Sequence, residues 1–251
     1  MHTVLTIAWK DLRTGLFSMR AAAVFFFLLG FMGIFFYTFI DSLLGLQSMY
    51  PERPAGLEVL VSGIFNNLHF ILLLVIPAVT MSVYSEEKRN HTWRLLSSAP
   101  VKPLHIVLGR YLAVLALMGL VFLASWVFPL YLLVLGNPDV GIILSSYLGL
   151  LMLTSSYIAF GLCVSSLTSH QFLAFLFTVA GIFLMLILNW VAVHLPAGKG
   201  VSGFFRYLAS VTHLENFFAG LITVQDLMYF LTLTAVFLFL NLLIVDLQRW
   251  R

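Results

Sequence analysis

Between Asp139 and Lys199 the chain runs for 59 residues, Val140–Gly198, without one Asp, Glu, Lys or Arg. Nothing else in the sequence constrains the fold as strongly. Soluble domains carry about 25% charged residues; this chain carries 9%, with 61% hydrophobic residues. A helix crosses the hydrocarbon of a bilayer in about 20 residues, so the uncharged run is long enough to cross twice. SSLTSHQ, Ser165–Gln171, supplies a polar turn near its middle. Backbone polar groups in lipid must be satisfied within the spanning segment, which favours helices. The fold class is therefore an all-α integral membrane protein.

Further uncharged stretches complete the pattern. Six transmembrane helices are predicted, at about 21–40, 65–84, 111–135, 142–167, 172–195 and 227–245. Asp41 is expected to end the first, and Pro51 and Pro54 mark the loop after it. VSGIFNNLHF (61–70) is too polar for mid-membrane, so span two is placed from Phe65 onward, with Asn66, Asn67 and His69 read as satisfied interfacial groups. Pro77 should kink that span, because its ring removes a helical hydrogen bond. Pro129 lies near the far end of span three, and Asn137-Pro138-Asp139 reads as a turn. A cleavable secretory signal is not expected, since the first apolar run is span-length.

Three stretches lie outside these spans. Residues 2–20 read as an amphipathic helix in the interface. Val4, Leu5, Ala8, Trp9, Leu12 and Leu16 form one side; Lys10, Asp11, Arg13 and Thr14 form the other. Residues 85–110 hold the densest charge cluster, Glu86, Glu87, Lys88, Arg89 and Arg94, closed by Lys102 and Arg110. A short helix is predicted over Trp93–Ala99, stopped by Pro100, and Pro103 suits the first position of the next helix. Residues 196–226 are rich in Phe, Leu and Tyr, and predict one or two short interfacial or re-entrant helices before the last span. Six spans put both chain ends on one side. That side and the 85–110 loop hold ten of the thirteen Lys and Arg residues, which places both in the cytoplasm. The domain division is then 1–20 as the interfacial helix and 21–251 as one transmembrane domain.

Chemistry of its own is not expected. No predicted span centre carries an ionisable residue, which argues against proton-driven transport. HExxH, CxxC and GxSxG are absent, and Gly198-Lys199-Gly200 lacks the remainder of a phosphate loop. The seven histidines are scattered and Cys163 is single, so no metal site and no cofactor are expected. The basic residues flank spans, which excludes a nucleic-acid partner. Asn189 reads as an interhelical hydrogen bond or a near-interface residue. Gly161, Ser165 and Ser169 form a small-residue stripe serving either packing within the chain or a subunit contact. Glu86 and Glu87 read equally as residues fixing the loop against a partner and as a solvated helix end.

KDLR (Lys10–Arg13), EEKRNHTWRLLSSAPVKPLHIVLGRYLA (Glu86–Ala113) and HLENFFAGLITVQDLMYFL (His213–Leu231) together resemble the permease subunit of ATP-binding-cassette transporters of the type-2 exporter class. The resemblance is strongest to the gliding-motility and copper-enzyme-maturation permeases; Leu214, where an aromatic is commoner, departs from them. It implies a permease without a catalytic site of its own. ATP would be bound by a separate ATPase subunit, and the partner across the membrane would be a second copy or a homologous permease. The location implied is the bacterial inner membrane, among lipids. Glu86, Glu87, Arg89, Thr92, Trp93, Leu96 and Pro100 would belong to the coupling helix seated on the ATPase. His213, Phe217, Gly220 and Asp226 would lie in the extracytoplasmic segment, where an accessory protein is expected. The residues alone leave open a secondary carrier or channel, and a membrane scaffold that transports nothing.

Overall fold

The computed structural model describes residues 2–49, 57–93, 101–135, 138–194 and 201–249. Among them are eleven helices and no strand. They are α1 (His2–Leu16), α2 (Met19–Met49), α3 (Leu57–Thr80), α4 (Ser82–Arg89), α5 (Pro103–Ser125), α6 (Val127–Leu135), α7 (Val140–Leu167), α8 (Gln171–His194), α9 (Val201–Leu208), α10 (Ser210–Phe218) and α11 (Val224–Arg249). Six segments are long and apolar enough to cross a membrane: Ala21–Ser42, Gly63–Arg89, Pro103–Leu133, Val140–Leu167, Gln171–Leu188 and Val224–Arg249. Six crossings return the chain to the side on which it starts, the terminal face.

The helices sort by enclosure. α7 is the most enclosed span, and α2 and α8 are the least. Leu150, Leu153 and Leu162 of α7 meet Leu28 and Met32 of α2, Leu68, Leu72 and Ile76 of α3 and Met118 of α5 in one apolar core. Phe26, Phe27 and Ile34 on α2, with Phe172, Phe177 and Phe183 on α8, are exposed and would face lipid. α7 sits centrally because small residues let its neighbours approach. A Cβ on Gly161 would lie 2.8 Å from Cβ of Thr80, and one on Gly149 would lie 2.6 Å from Cβ of Phe217. The Gly161 and Ser165 part of the small-residue stripe is therefore intrachain packing; Ser169 is exposed in the turn after α7.

Several boundaries differ from the sequence expectation. The first apolar segment stops beside Asp41, at Ser42, but the helix does not, because α2 continues to Met49. An acidic residue at the interface is a weak stop beside an unbroken run of helical neighbours. α3 starts at Leu57, so VSGIFNNLHF is helical. His69 is not an interfacial group: it is 1% exposed, and neither ring nitrogen has a hydrogen-bond partner among the described residues. α3 runs through Pro77 without interruption, and span two is interrupted one turn later, at Met81. Ser165 of α7 bridges the break: its hydroxyl donates to the Met81 carbonyl (3.0 Å) and accepts from the Tyr84 N–H (3.2 Å). Span three breaks at Trp126, three residues before Pro129, whose ring cannot accommodate the Ser125 carbonyl four residues back. Asp139 caps α7 by accepting from the Gly141 N–H at 2.7 Å.

α1 packs along α5, where Ile7 and the Val4 carbonyl sit over Gly109. Leu5 and Trp9 point away from the protein, Trp9 at 68% exposure. Asp11 is half-buried against the bundle, not on an outward polar side. Two faces of this helix are thus apolar, one toward protein and one away from it, and the alternation alone did not separate them. Leu96, Pro100, the remainder of the short helix expected over Trp93–Ala99, the 51–54 and 198–200 segments and Trp250 lie outside the described residues, as does the side chain of Asn189.

Candidate functional site

Two polar clusters occupy opposite ends of the bundle. The one on the terminal face begins with helical continuity. α4 carries Glu86–Arg89 as a helix emerging from span two, and α5 already runs from Pro103. The 85–110 stretch therefore begins and ends in helix, with α4 running to Arg89 and α5 from Pro103. Arg110, expected at the close of that loop, lies two turns inside α5 and is 3% exposed. Its guanidinium forms an ion pair with Glu87, donates to the Val83 carbonyl at 2.7 Å, and stacks 4.4 Å from the Tyr84 ring centroid. Such a buried cation persists because its fork is paired and its face is covered.

Around this pair the base of the loop is fixed to four helices. Lys88 donates to the Ser166 carbonyl of α7, which also accepts from Gln248 of α11 at 2.8 Å. Trp93 lies edge-on to Tyr84 (5.9 Å) with Lys88 5.8 Å from its ring, and shares a small apolar recess with Pro103, Ile106 and Val245. Thr92 donates to the Glu87 carbonyl at 3.2 Å, and His91 turns the chain with a positive φ of 57°. Arg249 of α11 donates to the Val101 carbonyl at 2.9 Å, holding the other end of the loop. Glu87, Thr92 and Trp93 thus meet in one cluster, while Arg89 is exposed. Lys88 and Arg110 were read from sequence as members of the charge cluster, without their buried partners. Their signal was position, since a basic residue just inside an apolar run must find a partner.

The second cluster joins α9 and α10 to the start of α11. His213 and Asp226 are both buried, with Nδ1 to Oδ1 at 2.6 Å. His213 Nε2 lies 3.0 Å from the Tyr207 carbonyl. A carbonyl only accepts, so Nε2 carries its hydrogen, and Nδ1 and Oδ1 share another. Asp226 Oδ2 accepts from Asn216 Nδ2 (2.8 Å) and Thr223 Oγ1 (2.6 Å), and Thr223 in turn accepts the Asp226 N–H. This is a capping arrangement at the N-terminus of α11, where the helix dipole favours an acidic residue. The His213 ring stacks on Tyr229 at 4.0 Å, and the Tyr229 hydroxyl donates to the Leu208 carbonyl at 2.8 Å.

Gly220 and Phe217 complete this end. Gly220 has φ +81°, with Gly220 N–H to the Phe217 carbonyl and Leu221 N–H to the Asn216 carbonyl. That is a Schellman ending, which selects glycine at the left-handed position. Phe217 is fully buried against Gly149, and its carbonyl accepts from Ser145 at 2.7 Å. All four residues expected in this segment therefore fall in one compact unit.

α7 connects the two ends through a ladder of hydroxyls. Tyr147 pairs with Ser125 (2.9 Å), Ser155 with Tyr111 (2.6 Å), Ser156 with Thr234 (3.0 Å) and Tyr157 with Ser210 (2.9 Å). The recurrence of Ser-Ser-Tyr at 145–147 and 155–157 was its visible sign. Among the described residues no group of three or more His, Cys, Asp or Glu is placed to hold a metal ion.

Comparison with curated proteins finds no significant match. A family profile described as ABC-2 family transporter protein matches residues 47–245, from the end of α2 through most of α11. With most of the chain inside that match, the protein belongs to the ABC-2 family of transporter proteins.

Proposed function

We propose that the chain is the permease subunit of an ATP-driven complex, with the base of the Asn90–Lys102 loop as the element that takes up motion from an ATPase subunit. The observation that carries this reading is the ion pair of half-buried Glu87 with buried Arg110, with Lys88 on the Ser166 carbonyl. A loop serving only as a connection needs no such attachment. Here any displacement of Thr92–Trp93 pulls on α4, α5, α7 and α11 together. Glu86 and Arg89 belong to the same surface, and contact with the ATPase is assigned to Leu96 and Pro100 from the family resemblance. A second permease, identical or homologous, completes the membrane unit. The loop and both chain ends face the cytoplasm, in agreement with the basic residues on that side, and the location is the bacterial inner membrane.

On the opposite face α10 lies alongside α7, with Ser210 at Tyr157, more than halfway along that helix. This supports a re-entrant reading of the α9–α10 hairpin. Exposed Phe204, Tyr207, Leu221 and Ile222 make its rim the place for an accessory protein, as expected for the gliding-motility and copper-enzyme-maturation permeases. The test is purification from native membranes in mild detergent, with every subunit identified and ATP hydrolysis measured with and without vanadate. A stoichiometric ATPase with vanadate-sensitive turnover is expected. Replacing Glu87 and Thr92 should leave insertion intact and uncouple that turnover. A stable oligomer free of ATPase would instead favour a carrier or scaffold.

A further inference from the structure

The interruption of span two at Met81 has a side chain as its cause. Met81 keeps helical dihedrals (φ −54°, ψ −33°), and its N–H still donates to the Pro77 carbonyl at 2.9 Å. Neither backbone strain nor the proline therefore sets the position. In an unbroken helix the Tyr84 N–H would donate to the Thr80 carbonyl. Here it donates to the Ser165 hydroxyl of α7 at 3.2 Å, and that hydroxyl donates to the Met81 carbonyl at 3.0 Å. A side chain inserted into the ladder is one of the few causes of a helix kink. Thr80 and Ser85 turn their own hydroxyls onto the Ile76 and Met81 carbonyls, and all three hydroxyl residues are fully buried.

This exchange moves the start of α4 from one helix to another. Ser165 stands in for the Thr80 carbonyl, so the first turn of α4 is tied to α7 in place of α3. Further polar attachments of α4 run the same way: the Val83 carbonyl and Glu87 to Arg110 of α5, and Lys88 to the Ser166 carbonyl of α7. α3 is held separately, with Leu68, Leu72 and Ile76 in the apolar core and Thr80 against Gly161. The outer side of the interruption is loosely packed. Val79, Ser82 and Val83 there line a cavity of about 560 Å³ shared with α1 and α5.

We propose that the Met81 interruption is a mechanical joint, at which α4 moves with α7 while α3 keeps its place, and that Ser165 is the positioning residue that makes it. A hydroxyl rotates about its bond and keeps both partners over a range of angles; a helical carbonyl fixes one direction. Buried backbone groups must stay paired, so without Ser165 the Tyr84 N–H returns to α3 or is stranded. The part this joint plays in transmission rests on the permease reading above. The joint itself does not.

The test uses the full-length protein in lipid nanodiscs, with whatever subunits co-purify, in a Cys163→Ala background. One spin label is placed at Asn90, just beyond α4, and the other at exposed Leu74 of α3 or exposed Leu151 of α7. Double electron–electron resonance then gives the two distance distributions. Nine residues of helix carry Asn90 about 13 Å from the joint, so a kink-sized swing of about 20° moves it about 5 Å. The Asn90–Leu74 distribution should be broader than the Asn90–Leu151 one by about that 5 Å, and vanadate trapping should shift the first and spare the second. Ser165→Ala should remove the difference in width, and Ser165→Thr, which keeps the hydroxyl, should restore it. Equal widths in the parent protein overturn the proposal, whether or not an ATPase is bound. A Ser165→Ala protein that melts with the parent and keeps the difference overturns it too. Unequal widths in a permease that carries no ATPase would leave the joint standing while the reading above fell.

Discussion

The buried His213–Asp226 unit gives the sharpest test of the geometry. Asp226 is 2% exposed and receives hydrogens from His213, Asn216 and Thr223. Asp226→Ala strands all three donors. Breaking a buried pair from one side costs about 3–5 kcal/mol, and hydrogen bonds between membrane helices fall lower, near 1 kcal/mol each. Three lost acceptors at a helix start place the cost at about 3 kcal/mol, or roughly 10 °C of melting temperature for a chain of this size. Asp226→Asn should behave quite differently. With the amide turned so that its oxygen faces Asn216 and Thr223, its NH₂ donates to His213 Nδ1, while Nε2–H still donates to the Tyr207 carbonyl. His213, Asn216 and Thr223 are then all satisfied with a neutral ring, one amide hydrogen alone lacks an acceptor, and the loss should stay near about 1 kcal/mol. The assay is thermal unfolding of purified protein in lipid nanodiscs, followed by size-exclusion fluorescence, with the His213→Ala/Asp226→Ala cycle alongside. Coupling of about 1–3 kcal/mol is expected in that cycle. An Asp226→Asn protein as unstable as Asp226→Ala would refute the hydrogen-bond assignment, and so would additive single losses.

Three further predictions use the same measurement or its functional counterpart. Gly161→Ala should push α7 off Thr80 and cost about 1–3 kcal/mol, with partial recovery on adding Thr80→Ala; no recovery would place the strain elsewhere. Gly220→Ala should lose about 1 kcal/mol or more by straining the left-handed ending of α10, read as a lower melting temperature with unchanged helix content. Arg110→Lys keeps the charge but loses the fork and the stack on Tyr84; insertion and melting should change less than ATP turnover in the complex, and equal loss of both would reduce Arg110 to a packing residue.

The spans were legible because their signal is additive over about 20 residues and lipid admits few alternatives. Their ends were not, because helix termini in a membrane protein follow tertiary contacts. α2 runs past Asp41, and the Met81 break sits where Ser165 can satisfy the freed groups, a partner 84 residues away in the chain. The His213–Asp226 unit was legible as a set of neighbours, since Gly220 and Asp226 each carry a local rule, a left-handed stop and an acidic helix start. Arg110 and His69 escaped for the opposite reason. Burial of a single polar side chain depends on which way its helix is rotated, and a span apolar on all sides gives no periodicity from which to read that rotation.

That same uniformity bears on how the two ends communicate. α7 offers almost no amphipathic bias, so its orientation must be set by discrete polar contacts. Those contacts are spread along it: Ser165 and Ser166 hold α4 and α11 at the terminal face, Ser145 holds α10 toward the other end, and Tyr157 reaches α10 from between them. Close packing at Gly149 and Gly161 leaves little room for the helix to deform between them. A helix pinned at both ends and packed tightly along its length moves as one body or not at all. Displacement of α4 would therefore be expressed at α10 as rotation or translation of α7, with Ser155 and Ser156 as the contacts that must slip against Tyr111 and Thr234. Coupling between distant sites requires an element whose equilibrium both sites bias. α7 is the helix in this fold that meets that condition, and paired cysteine labels across Ser155 and Thr234 that keep one separation in nucleotide-free and vanadate-trapped complexes would remove it from that role.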